Sequence, residues 1–264
     1  MKSRFFAAIA AFVAGSVAAS AASATEWPNG AKTAVVLTYD DALTSQLDHA
    51  VPLLNQAGLK ATFFLANVKQ ADLPRWRAAA AEGHELGNHT IFHPCSAASF
   101  PADPRYTSEA YTVPSMLKEI EQQNVLLTAI DGKPRHGMAT PCGQSVAGGA
   151  DYLEALRAAG FVTYVRGVNV TPEDLRRDAS RIDPMHVPAR GFPESATGRD
   201  LIAFAEQGRD GGGLAVFLFH GVAGDYLQVS DTAHRELVAW LAANRKDIWV
   251  TTLQEALDWA KAHP

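Results

Sequence analysis

The chain has 264 residues, a length that suits one large domain. It is 47% hydrophobic and 19% charged, which excludes a disordered chain. A net charge of −5 excludes the basic footprint of a nucleic-acid binder, and no period of 20–50 residues marks a solenoid.

Residues 1–24 come first and differ from the rest. Lys2 and Arg4 precede an apolar stretch over residues 5–17, followed by small residues that end Ala22-Ser23-Ala24. A basic start, a short apolar core and an A-x-A site predict a secretory signal peptide. A retained membrane anchor is the alternative, but Gly15 and Ser16 interrupt the run. Cleavage leaves residues 25–264 as an exported domain, periplasmic or secreted, two charges more negative than the whole chain. No later stretch is long and apolar enough to span a bilayer. An acidic surface suits a neutral glycan better than a phosphorylated polymer.

The mature part alternates strands and helices. Residues 34–38 are a continuous apolar strand. Over 45–57, Leu47, Ala50, Leu53, Leu54 and Ala57 fall at helical spacing, and Gly58 stops the helix. A Phe-rich strand follows at 61–65, a helix at 73–82 and a short strand at 85–88. Residues 94–114 lack periodicity and read as a long loop, of the kind usually tied to function. A helix spans 113–130, with Met116, Leu117, Ile120, Val125 and Leu127 toward the core. Strands at 136–140 and 161–165 flank a helix at 152–159, and a short strand is expected at 185–187. A helix at 201–207, a buried strand at 214–219, a helix at 233–244, a strand at 248–250 and a helix at 253–262 complete the order.

Repeated strand–helix units imply parallel strands joined by right-handed crossovers. Seven or eight of them predict an α/β fold in one domain, a closed or nearly closed β/α barrel. An open doubly wound sheet is the alternative, but no Gly-rich phosphate loop follows the first strand. In a barrel the active site lies at the carboxyl ends of the strands. Asp40 and Asp41 end the first strand, His89 ends the third, Pro141 to Gly143 follow the fourth, and His220 ends a late one. Distant stretches thus converge on one face.

Asp41, His89 and His93 form a candidate two-His, one-carboxylate metal site. A hydrolytic zinc needs few protein ligands, because open positions must remain for water and substrate. An isolated i, i+4 His pair is usually surface or core; the aspartate pair ending the first strand changes its reading. One aspartate would bind metal while the other takes a proton from the attacking water, although Asp is also common in solvated turns. His220 is the candidate general acid, with a structural strand-end histidine as the alternative. His84 and the remaining histidines read as structural or solvent-facing. Cys95 and Cys142 are the only cysteines, which in an oxidising compartment suggests one disulfide, with two buried thiols as the alternative.

The motifs resemble those of the polysaccharide deacetylases, carbohydrate esterase family four. Its T-[FY]-D-D is matched by Thr38-Tyr39-Asp40-Asp41. Its G-H-E-[IL]-G-[NS]-H-[ST]-x-x-H is matched from Gly83 through His93, and its late L-x-H by Leu218-Phe219-His220. The resemblance implies a distorted β/α barrel with a divalent metal, usually zinc. It implies Asp40 as general base, Asp41, His89 and His93 as metal ligands, and His220 as acid. The implied reaction is hydrolysis of an N- or O-acetyl group from an acetylated carbohydrate.

The third motif departs. Where the family has R-x-P-[YF]-G, this chain has Ala139-Thr140-Pro141-Cys142-Gly143. A backbone N–H at Cys142 can still serve the oxyanion, a role that needs no side chain. The base-orienting arginine is missing, and Arg166, at the end of the next strand, is one candidate for its place. The same alignment sets Cys95 two residues beyond a ligand and Cys142 in the loop after the fourth strand, which favours a bridge between them at the pocket rim. Tyr106, Phe192 and Tyr226 are candidates for shaping the groove. The missing arginine and aromatic also motivate a catalytically impaired, carbohydrate-binding alternative, and the same metal chemistry would serve a hydrolase of a non-sugar amide. A glycosidase fits badly, because its two carboxylates must face each other across the scissile bond.

Overall fold

Strand β1 (Thr33–Asp40) is buried along its whole length, and the molecule is organised around it. The structure is a computed structural model that describes residues 25–100 and 103–264; the expected signal peptide, 1–24, lies outside the described residues. After β1 come β2 (Thr62–Leu65), β3 (Glu85–Asn88), β4 (His136–Ala139), the short hairpin β5 (Val146–Ala147) and β6 (Ala150–Asp151), β7 (Val162–Arg166), β8 (Arg190–Gly191), β9 (Leu214–Phe219) and β10 (Ile248–Thr251). Apart from the hairpin, every pairing is parallel, in the order β7-β4-β3-β2-β1-β9-β8. One edge of β1 is shared: Thr33–Val36 pair with β10 and Thr38–Asp40 with β2.

The two ends of this sheet meet. Val187 bonds to β7 through its N–H to Val165 (2.9 Å) and its C=O to Gly167 (2.9 Å), and Arg190 and Gly191, a few residues on, pair with β9. The result is a distorted β/α barrel, as expected. The stave expected at 185–187 is a broken one: a single bridge at Val187, then two paired residues, so little of its backbone makes a regular ladder.

Period-two alternation sorts β1 into two faces. Val35, Leu37 and Tyr39 join the cluster with Leu54, Phe204 and Leu237 from the helices. Ala34 and Val36 join Phe64, Ala139, Tyr164 and Val216, from strands all around the ring, so this second cluster fills the barrel. Two glycines make room for its rings. A Cβ on Gly87 would lie 2.4 Å from Phe64, and one on Gly137 would lie 2.0 Å from Tyr164.

Among the described residues, seven α-helices surround the strands: α1 (Val51–Ala57), α2 (Leu73–Ala81), α3 (Val113–Asp131), α4 (Leu153–Ala159), α5 (Gly198–Gly211), α6 (Asp231–Ala243) and α7 (Leu253–Ala262). On α3, Val125, expected toward the core, is exposed; two other helices differ in extent from the expectation. The helix foreseen from 45 starts as a wide π turn, Gln46–Ala50, because Pro52 has no N–H to continue the i→i−4 ladder. Helix α5 runs well beyond 201–207 at both ends. Its limits are set by the Thr197–Asp200 capping box and by Gly212 at φ 78°, neither of which carries apolar periodicity. Among the described residues no helix is long and apolar enough to cross a membrane.

Candidate active site

Alternation continues to the end of β1, so Asp40 points into the barrel with Ala34 and Val36. Asp41 ought to point away. It does not, because the chain turns left-handed there, with φ 79° at Asp41 and 53° at Ala42, while the Asp41 N–H donates to Phe64 O (3.0 Å). Such conformations cost about 1–3 kcal/mol for a non-glycine residue and persist where surrounding contacts over-determine them. The turn brings both carboxylates to one mouth.

The histidines arrive on the loop after β3. His89 is buried, and its Nδ1–H donates to Ala139 O (2.9 Å), which turns Nε2 toward the mouth. His93 returns through a tight turn, left-handed at Thr90 and His93. Asn88 accepts from Thr90 N (2.8 Å), Thr90 Oγ1 accepts from His93 N (3.0 Å), and Glu119 on α3 accepts from the N–H groups of Ile91 and Phe92 (3.0 and 2.9 Å). These bonds explain the Asn-His-Thr run of the motif.

The three sequence-predicted ligands come together. Asp41 Oδ1 lies 3.4 Å from His89 Nε2 and 3.4 Å from His93 Nε2, and the two nitrogens are 3.0 Å apart. Bonds of about 2.1 Å at tetrahedral angles would set donors roughly 3.4 Å apart, so the triangle fits Zn2+. Burial would raise the Asp41 carboxyl, but the hydrogen bond and charge of His89, followed by the neighbouring imidazoles of His93 and His220, outweigh it and hold it below the usual carboxylate range. Burial, then the charge of His89, push His93 down to about 4, which keeps its imidazole neutral and able to coordinate at neutral pH.

Asp40 is buried beside the triangle, 3.7 Å from His89 Nε2. Its carboxylate is held by Arg166, whose Nη2 donates to both oxygens, at 2.5 Å to Oδ2. Arg166 is itself buried and lies over the Phe64 ring, 5.1 Å from its centroid. The ladder pairs Arg166 on β7 with Ala139 on β4, the position where the resemblance leads one to expect arginine. Residues paired in register share a face. The cation therefore stands one strand over at the same height in the barrel, and it reaches the same carboxylate.

His220 stands at the end of β9, partly exposed, with Nε2 3.9 Å from Asp41 Oδ2. Gln46, buried, ties its backbone to that of β1: its amide Nε2 donates to Asp40 O (2.5 Å) and His220 O (3.0 Å). Sequence reasoning passed over Gln46. The available signal was a polar residue on the apolar face shared by Leu43, Leu47 and Ala50. His84 is buried and accepts from Ala61 N (3.2 Å), a structural role as read. Phe192 does not shape the groove: it stacks on Phe217 and Phe219 in the outer core (centroids 5.5 and 5.9 Å).

Cys95 and Cys142 form a disulfide, Cα–Cα 5.6 Å, and no described cysteine is free. It ties the loop after His93 to the Pro141–Gly143 turn across 47 residues, where Cys142 is left-handed at φ 51°. Closing a loop of this size stabilises by about 2–4 kcal/mol. A Cys95→Ala/Cys142→Ala variant is expected to lose that amount in urea denaturation. An unchanged midpoint would show that the bridge does not constrain the unfolded chain.

A family model described as polysaccharide deacetylase matches residues 28–164, just over half of the sequence. The chain belongs to the polysaccharide deacetylase family. Among curated relatives, a gellan lyase of a Bacillus species is 30% identical over 117 residues, and YheN of Bacillus subtilis strain 168 is 30% identical over 129. Those stretches are 44% and 48% of this chain but only 4% and 42% of the relatives, so the chain spans less than half the length of either. Three solved structures share the deacetylase fold. A Mycobacterium smegmatis protein has a TM-score of 0.63 at 17% identity over 91% of this chain and 94% of its own. The catalytic domain of a peptidoglycan N-acetylglucosamine deacetylase from Eubacterium rectale scores 0.57 at 19% over 88% and 94%. A family 4 carbohydrate esterase from Streptomyces lividans, in complex with acetate, scores 0.52 at 17% over 82% and 91%.

Proposed function

We propose that this protein is an exported, metal-dependent hydrolase that removes acetyl groups from an acetylated glycan. The observation that carries the reading is the Asp41–His89–His93 triangle with a second carboxylate, Asp40, beside it and held by its own arginine. Asp41, His89 and His93 would hold a divalent cation, Zn2+ by their nitrogen and oxygen donors, and once bound it would polarise the acetyl carbonyl and acidify the attacking water.

The residues of the chain divide the remaining work. Asp40 takes a proton from the water as its oxygen attacks the acetyl carbon. The N–H of Cys142 donates to the carbonyl oxygen as it becomes negative. His220 gives a proton to the departing amine or alkoxide as the C–N or C–O bond breaks, and acetate is the second product. Arg166 keeps the Asp40 carboxylate aimed at the mouth. This pairing counts against the impaired, binding-only reading, because a guanidinium holds Asp40 although the third motif lacks its arginine.

Aromatic surface beside the site supports a sugar substrate. Phe92, between the two histidines, is 46% exposed and stacks on Tyr106 (centroids 4.6 Å apart). A cleft of about 430 Å³ opens next to it, lined also by Arg105, Tyr111 and Lys118. Apolar ring faces edged with polar groups suit pyranose rings.

The test is acetate release from a panel of acetylated glycans, with metal content measured on the same purified protein. Release is expected to stop with a chelator and return with Zn2+. Protein that takes up no divalent metal, or acetate release indifferent to chelation, would end the proposal.

A further inference from the structure

Asp41 has two oxygens, and they face different neighbours. Oδ1 faces the two imidazoles at 3.4 Å. Oδ2 accepts a hydrogen bond from the hydroxyl of Tyr226 at 2.9 Å and lies 3.9 Å from His220 Nε2. Tyr226 is 53% exposed, so the core makes no demand for it. Its ring leans toward His220, centroids 6.4 Å apart, and its polar end is spent on the carboxylate.

The loop that carries it is locked. Gly221 N donates to Tyr226 O (3.2 Å), Val229 N to Gly221 O (3.0 Å) and Ala223 N to Val229 O (3.0 Å). Ala223, Asp225 and Leu227 are all left-handed, on either side of the tyrosine. Asp225 accepts from Ser45 N (2.8 Å), and Val222 N donates to Ser45 Oγ (3.3 Å), so the loop after β9 is laced to the segment that follows Asp41. The hydroxyl is thereby held in place before any ligand arrives.

We infer that Tyr226 is a positioning residue for the metal ligand Asp41. By holding Oδ2, it would leave Oδ1 as the oxygen offered to a divalent cation, and it keeps the carboxylate from closing on His220, whose Nε2 then stays available to the leaving group. The inference rests on the proposed metal site and adds a residue outside its motifs.

Zn2+ affinity, read by competition with a chromophoric chelator on metal-free protein, tests it. Outer hydrogen bonds to metal ligands typically change affinity 10–100-fold. Tyr226→Phe keeps the ring and removes only the hydroxyl, so Zn2+ affinity is expected to fall about tenfold or more while the melting temperature of the metal-free protein stays at the wild-type value. Asp225→Ala, which loosens the loop and leaves the hydroxyl, is expected to weaken binding less. Wild-type affinity in Tyr226→Phe, with only KM for the glycan changed, would overturn the inference and make the tyrosine a groove wall. Wild-type protein that binds no Zn2+ would instead sink the metal site itself, so the two failures are distinct.

Discussion

Asp40→Asn is expected to lower acetate release about 10²–10⁴-fold, the usual contribution of a general base, with Zn2+ still bound. The amide keeps the shape of the carboxylate and loses its ability to take a proton. It also leaves the buried Arg166 guanidinium without a counter-charge, and breaking a buried ion pair from one side costs about 3–5 kcal/mol. Lost activity alone could thus reflect lost folding. The double variant Asp40→Asn/Arg166→Met separates the two effects, because it removes both charges. It is expected to recover most of the stability and none of the activity. Acetate release at the wild-type rate from folded Asp40→Asn would remove Asp40 from the chemistry.

Arg166→Met is the second large effect. Asp40 is left buried and unpaired, so unfolding by denaturant should show a loss of about 3–5 kcal/mol. Where the variant is folded, kcat should drop about 10²-fold, the scale of a reacting group displaced by about 1 Å, and KM should move little. Lys at this position should rescue part of the stability and less of the rate, since its single ammonium lacks the planar fork. Full kcat in a destabilised Arg166→Met protein would make the arginine purely structural.

Much of the site was readable because its motifs are local. His89 and His93 are four residues apart in one turn, and Asn88 and Thr90 shape that turn from within it. Asp40 and Asp41 end an apolar strand whose alternation is plain. Arg166 was visible only as one candidate. No spacing rule links it to Asp40, 126 residues away, and the link passes through the interior of the barrel. Tyr226 was read as groove lining, because its bond to Asp41 spans 185 residues and depends on a loop held in left-handed conformations. Gln46 was missed because its partners are two backbone carbonyls, which leave no mark in the sequence.

By itself the sequence determined the strand–helix alternation and the parallel barrel, and it singled out Asp40, Asp41, His89, His93 and His220 as candidates, since each rests on short-range periodicity or on motifs a few residues long. Only the tertiary structure decided which cation pairs with Asp40, which hydroxyl donates to Asp41, and how the ends of the sheet meet at Val187. Those are contacts between side chains or staves far apart along the chain. Their geometry is set by register and by the turns at strand ends, quantities that exist only once the barrel has closed.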